Sequence, residues 1–502
     1  MTADTALAPT GGYRLPRSTA EALLHIVVAI ALTIFAVSSF AISTAFGVAA
    51  TFVVTFSTAA ALPAAIPFAV ALSFMFQNVV VAWYTPIITD NTTFDALRGA
   101  NFIILMTAFA AFLAASFQAR VRGIAPLRPW LIGSILLTGV VVIYLGLGAA
   151  RGEFKDAVVY FRNIITPVAC FYVAVVATSI YRVDLSKTLL WLAAAAIVYG
   201  YCELFFTLDF LSLFHGDLYI ERDITWQINT GVWERALKET GFVLRGLQDI
   251  LTTNFFNLPM FGDLRVFRLN GPNFHSISYA YALSVVAVWL LFNKRWLLPL
   301  LALPLLVVIG SKGATFMLLL ALIVRIAVPL VGARIAVLLS LLISAGWVAG
   351  AIFIGMRSGD YHVLGLFAGL RDFLHDPLGQ GLGFGGNLSS TTLNVDWERA
   401  QSTGAADTPM ESAVGVLLYQ MGIASIAFFA FLALLARTAW RGYVASGDMS
   451  ILFGFVVITA ISANAVLQEE AYFSPLALGL ALLLTGVSLA NHWTATGRRL
   501  GQ

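Results

Sequence analysis

The sequence predicts an all-α, polytopic integral membrane protein of about fourteen transmembrane helices, with two long loops on its outer side. Three observations lead there. Of the 502 residues, 60% are hydrophobic and 11% charged, whereas soluble domains carry about 25% charged residues. The apolar residues fall in long runs, and about 20 of them in a helix cross a hydrocarbon layer about 30 Å thick. Basic residues gather in the short turns on one side of the resulting threading, as cytoplasmic turns do. A water-soluble enzyme is excluded, because its core would saturate well before absorbing so much apolar surface. The net charge of +3 is too small to point to nucleic acid.

Residues 1–19 read as a cytoplasmic tail, with arginines but no short apolar region ending in a cleavage site. Helices are expected over 20–39, 42–60, 62–84, 98–119, 129–148, 162–181 and 187–207, an N-terminal block at 20–207. Those over 273–292, 296–311, 313–331 and 335–355 make a central block at 273–355. A C-terminal block at 411–491 holds helices over 411–436, 450–467 and 472–491, followed by a cytoplasmic tail at 492–502. On the inner side fall Arg14, Arg17, Arg120, Arg122, Arg128, Arg182, Lys187, Lys294, Arg295, Arg325, Arg334, Arg437, Arg441, Arg498 and Arg499, against only Asp4, Glu21, Asp184 and Asp448. That asymmetry puts both termini in the cytoplasm and requires an even number of crossings. Cys170 and Cys202 lie in apolar runs without metal-ligand spacing and read as small core residues.

The outer loops, 208–272 and 356–410, are longer than the connections compact folds ordinarily use, and loops of that length tend to be functional or disordered. The stretch WERALKETGFVLRGLQDILTTNFF spaces its apolar residues as a helix does. It reads either as an amphipathic helix on the membrane surface or as a helix packed over the bundle mouth. No internal repeat and no symmetric pair of broken helices is visible, which argues against a secondary transporter.

The charges outside carry the functional reading, since ionisable groups at membrane depth are costly and usually functional. Arg98, Arg162, Arg265, Arg268, Arg371 and Lys312 stand at helix mouths or in the long loops. Singly, each is explained as a snorkelling anchor; together they suit a lipid-linked diphosphate, because the guanidinium fork matches phosphate oxygens. The segment Arg268-Leu269-Asn270-Gly271-Pro272-Asn273-Phe274-His275 leads directly into a helix, with Pro272 and Asn273 as break and cap. A helix start favours anions; His275 reads as a polar group at the membrane boundary. The run from His375 to Gly386 has five glycines between Gly379 and Gly386 and reads as a tight loop, not a nucleotide-binding fingerprint. Glu411 precedes about twenty-five apolar residues, where a helix dipole favours its anion. The histidines at 25, 215, 275, 362, 375 and 492 lack the spacing of a helical zinc site.

In these segments the chain resembles the O-antigen ligase and polymerase superfamily of bacterial envelope polysaccharide assembly. Arg268-x-x-Gly271-Pro272 with Asn273 is similar to the family's arginine-glycine segment before a helix. Ser311-Lys312-Gly313-Ala314 resembles its Ser-Arg-Gly turn, with lysine in place of arginine. Arg371 followed by His375-Asp376-Pro377-Leu378-Gly379-x-Gly381-x-Gly383 resembles its arginine and Pro-Leu-x-Gly-x-Gly loop. Glu411-Ser412, nine residues, then Gly422-Ile423-Ala424-Ser425 resembles the ligase motif of histidine, nine residues and Gly-x-x-Gly. The likeness covers roughly 160–490; before that only hydropathy matches.

The resemblance implies a GT-C-like, metal-independent, inverting glycosyltransferase without cofactor in the bacterial inner membrane, working at the periplasmic face. Its substrate is undecaprenyl-diphosphate-linked oligosaccharide, its setting membrane lipid, and its pathway partners a flippase and a chain-length regulator. Glutamate where ligases carry histidine points to the polymerase branch; the alternatives are a ligase acting on lipid A core and, in another class, a transporter or flippase. In this reading Glu411 is the general base, since a carboxylate beside a sugar hydroxyl takes its proton as the bond forms. Arg268 and Arg371 bind the diphosphate and stabilise the leaving charge. Arg265 and Arg162 are secondary contacts, and Arg98, Lys312, Asn273 and His275 complete the substrate-binding set.

Overall fold

The computed structural model describes residues 19–117, 121, 124–229, 247, 251–255, 264–390 and 397–500. The tail at 1–18 lies outside them, as does most of the 233–256 stretch that reads as amphipathic. The described residues form helices α1 (Thr19–Ile42), α2 (Thr44–Ala61), α3 (Ile66–Tyr84), α4 (Asn91–Arg98), α5 (Ala100–Ala115), α6 (Arg128–Arg151), α7 (Phe154–Ile180), α8 (Ser186–Ser212) and α9 (Gly216–Asn229). A two-stranded antiparallel ribbon follows, β1 (Thr252–Asn254) with β2 (Arg265–Phe267). Then come α10 (Ser276–Phe292), α11 (Leu297–Ile309), α12 (Lys312–Val331), α13 (Ala333–Ser358), α14 (Tyr361–His375), α15 (Trp397–Thr403), α16 (Ala413–Met421), α17 (Ser425–Ser446), α18 (Met449–Ala465), α19 (Glu469–Phe473) and α20 (Leu480–Leu500).

Among the described residues ten helical stretches are long and apolar enough to cross a membrane, and eleven if the bent pair α4–α5 counts as one. Helices α10, α11 and α18 are apolar but shorter. Each expected span falls on helix, so the all-α, multi-pass architecture stands. Their starts follow side-chain chemistry: the carboxylates of Asp90, Asp360 and Asp448 and the hydroxyls of Ser43 and Ser412 accept backbone N–H groups of the first turn.

Helix α7 is the axis of the bundle and is almost entirely enclosed, whereas α6 and α13 present most of their length outward. Residues Ile143, Leu330 and Ile354 on the periphery are about two-thirds exposed or more, which in lipid is burial rather than waste. Close approach of α7 to α20 depends on Gly486, where a Cβ would sit 3.0 Å from Ala174. At one end of the bundle Lys187 Nζ reaches Thr19 Oγ1 and Asn491 Nδ2 donates to the Val183 carbonyl. The start of α1 and the last helix therefore share an end with the turn before α8, as the charge pattern requires.

Several boundaries differ from those expected, each for a local reason. The span expected at 98–119 is broken at Gly99 into α4 and α5, bent by 45°. Gln77 Nε2 stabilises the break by donating to the carbonyls of Leu97 and Arg98. Helix α7 starts at Phe154, so Arg162 lies two turns inside rather than at a mouth. The span expected at 411–436 has a turn at Gly422 (φ +51), where a Cβ would strike the Pro377 carbonyl. The loop expected at 356–410 contains α14 and α15, and 252–254 is strand, fitting its two β-branched threonines.

Candidate functional site

A polar cavity of about 430 Å³ opens where α3, α5, α7, α10 and the turn around α19 converge. Its lining includes Arg98, Arg162, Arg268, Asn273 and His275 from the expected set, joined by Glu469 and Glu470.

The segment carrying Arg268 is clamped from behind. Glu203, fully buried in α8, accepts the backbone N–H of Asn270 through Oε1 and that of Gly271 through Oε2, each at 2.8 Å. Gly271 has φ +66, and a Cβ there would lie 2.2 Å from the Tyr279 ring, so only glycine makes this turn. Asn78 Nδ2 donates to the Asn273 carbonyl at 2.7 Å. The helix cap is not Asn273: His275 Nδ1 accepts the Ser278 N–H. Asn273 lines the cavity and is buried, with its Oδ1 unpaired among the described residues.

The glycine run is a structural strap, as its composition suggests. Gly379, Gly381, Gly383, Gly385 and Gly386 all have positive φ. A Cβ at Gly381 would lie 2.5 Å from the Gly148 nitrogen, and one at Gly383 2.6 Å from the Ala157 nitrogen. The strap passes between helices by backbone pairing: Gln380 and Gly381 N–H groups donate to the carbonyls of Tyr419 and Gln420, and that of Leu382 to Tyr144. It ends at Asn387, whose backbone N–H donates to Glu469 Oε2 at 2.8 Å, while the Tyr160 hydroxyl donates to Oε1 at 2.6 Å. Glu469 is thus a fastening, with burial raising its carboxyl to about 8 and those two hydrogen bonds opposing.

Glu470 is placed differently. Its Oε2 is buried without a hydrogen-bond partner among the described residues. Arg268 lies on the same cavity and feels its charge, yet the two close no ion pair. Burial raises the Glu470 carboxyl, the negative charge of Glu411 adds to this, and His275 and His362 oppose it. Glu411, whose charge Glu470 feels, has φ +60, with its Oε2 3.6 Å from His362 Nδ1. Its carboxyl is also raised by burial, against the Asn387 amide. A non-glycine residue held in the left-handed region stores strain of about 1–3 kcal/mol, of the kind found at functional sites. Lys312 starts α12 on the exposed side and its charge reaches His362.

Not every expected residue joins the cavity. Arg371 pairs with Asp372 at 2.8 Å and reaches the Asp407 carbonyl at 3.4 Å, outside the lining. Arg265 is exposed on β2, and Glu411 and Lys312 are not among the lining residues. Glu469 and Glu470 escaped the sequence reading, although two adjacent acids in a short turn between apolar helices are a legible signal. Cys170 and Cys202 are free thiols, the first buried, and no group of three metal-binding side chains occurs among the described residues.

Fold and site define a multi-pass membrane protein with an arginine-lined cavity walled on one side by carboxylates. No known protein-family profile matches the chain, and no curated protein matches it.

Proposed function

We propose that the protein is a membrane glycosyltransferase of the polysaccharide polymerase type, extending a lipid-linked glycan by inverting transfer from an undecaprenyl-diphosphate donor at the periplasmic face of a bacterial inner membrane. The observation that carries this reading is the meeting of Arg98, Arg162 and Arg268 in one cavity among membrane helices with Glu470, whose Oε2 has no hydrogen-bond partner among the described residues. Arg98 and Arg162 supply charge for a diphosphate leaving group, which needs no acid to depart. Glu470 is the general base, with Glu411 raising its proton affinity towards the working pH. This moves the base role from Glu411, where the motif suggests it, to Glu470 in the cavity lining. The finer expectations of fourteen crossings, a GT-C-like arrangement and cytoplasmic termini belong to the same proposal.

The test is transfer by the purified protein in lipid nanodiscs, given a lipid-diphosphate oligosaccharide alone. Lengthening of the lipid-linked glycan is the expected product. Transfer only when lipid A core is added would make the protein a ligase. No transfer with either acceptor, together with substrate counterflow in vesicles, would replace the enzyme by a transporter.

A further inference from the structure

We propose that Arg98, Arg162 and the start of α5 form the primary diphosphate site, with Arg268 serving the carboxylate side of the cavity instead. Arg162 enters the bundle on α7 about 12 Å from the helix start. Among the described residues its guanidinium has neither an ion pair nor a side-chain hydrogen bond, although it lines the cavity inside a membrane-spanning segment. A half-buried cation without a partner is costly for a fold to keep, and one in a transmembrane helix marks a ligand pathway by default.

What surrounds it deepens the need for an anion. A second cation of the cavity, Arg98, acts on it; it is held over the rings of Phe94 and Tyr219 at 5.7 Å and 4.0 Å from Asp95. Asp95 is shared with Lys155 at 3.2 Å. The break at Gly99 opens α5 beside Arg98, and no side chain caps that start. A helix of 16 residues presents free N–H groups and a positive dipole end there, and Asn101 in its first turn also lines the cavity. Broken membrane helices present their starts to anionic substrate groups in this way. Arg268, in the same lining, already feels the charge of Glu470, so its own charge is partly answered.

The occupant is a diphosphate or phosphate anion, either free or at the head of a lipid. That the lipid-linked form is the one used rests on the transfer reading above; the anion site does not. Binding of inorganic pyrophosphate and of farnesyl diphosphate to the full-length protein in nanodiscs is measured by calorimetry and by shift of the thermal midpoint. Arg162→Gln is expected to weaken both ligands at least about tenfold, as loss of a charged hydrogen-bonding partner does, and to raise the midpoint of the ligand-free protein by removing the unpaired charge. Arg162→Lys should restore part of the binding, and Arg268→Gln should weaken it less than Arg162→Gln does. Equal binding by wild type and Arg162→Gln, or loss with Arg268→Gln alone, would overturn the assignment. Tighter binding of farnesyl diphosphate identifies a lipid-linked occupant, and equal affinity assigns the site to the free anion. Pyrophosphate binding in a protein that transfers no glycan removes the transfer reading and keeps this site; full transfer by Arg162→Gln does the reverse.

Discussion

The Tyr160 hydroxyl donates to Glu469 Oε1 at 2.6 Å and accepts the backbone N–H of Leu388 at 3.1 Å. One phenol thereby joins α7, the turn before α20 and the end of the glycine strap at the wall of the cavity. Tyr160→Phe leaves both partners short of a hydrogen bond in a buried place. The expected cost is about 1–3 kcal/mol of stability, read as a lower thermal midpoint. An unchanged midpoint would show that the tie does not hold the strap.

The same carboxylate predicts a pH dependence. Glu469 is raised to about 8 from the ordinary 4.5, so between those values the folded chain keeps a proton that the unfolded chain releases. Its contribution is complete below 4.5 and is lost as pH rises through the folded value. Thermal midpoints should fall from about pH 5 to about pH 8. Glu411 and Glu470 are raised too and act in the same direction. Glu469→Gln should therefore reduce the slope without abolishing it; the full wild-type slope in that variant counts against the assignment.

For transfer, Glu470→Gln should lower kcat by about 10²–10⁴-fold, the usual contribution of a positioned base. Glu411→Gln is the more informative change. A neighbouring negative charge raises a carboxyl pKa, so its removal lets Glu470 ionise at lower pH. The acid limb of the kcat profile should move down in that variant while the upper limb stays. A limb that moves up, or vanishes with Glu411→Gln alone, would return the base role to Glu411.

Arg268 and Arg371 separate the motif from the geometry. Arg268→Ala empties a position in the cavity lining that Glu470 shares and should cost transfer about tenfold to a thousandfold. Arg371 is 43% exposed and paired with its neighbour Asp372, an interaction worth about 1 kcal/mol or less. Arg371→Ala should thus keep transfer within about threefold. A collapse of activity there would bring that helix into the reaction despite its distance from the cavity lining.

How much of this was legible in the sequence follows from what each feature depends on. Apolar run length is local, so the first helix was readable to within a residue of Thr19, whereas the last turns of α20, which runs on to Leu500 through the polar stretch expected as a tail at 492–502, were not. The break at Gly99 was not, because it depends on Gln77, more than twenty positions earlier in the chain, reaching the freed carbonyls. Arg268, Asn273 and His275 were readable because turn chemistry and charge coincide within eight residues. Glu470 was visible only as one of many outer acids; its distinction is a missing partner, and partners are a property of packing. The depth of Arg162 was hidden for a related reason: the polar stretch Glu153–Asp156 resembles a loop, yet it is the cap and first turn of α7.

Glu203 offers the last test, because it shapes the site without lining the cavity. Both its oxygens accept backbone N–H groups, of Asn270 and Gly271, so the turn is fixed on two consecutive peptides. In Glu203→Gln one oxygen becomes an amide nitrogen that meets a donor with a donor, which costs about 1–3 kcal/mol where water cannot enter. Arg268 is two residues from the clamp, and displacement of about 1 Å at a reacting group costs about 10²-fold in rate. The expected result is a fall in kcat with the pyrophosphate affinity of the Arg98–Arg162 wall preserved. Equal loss of both would mean that Glu203 holds up the whole cavity rather than the Arg268 turn. Unchanged kcat would mean that the turn needs no clamp.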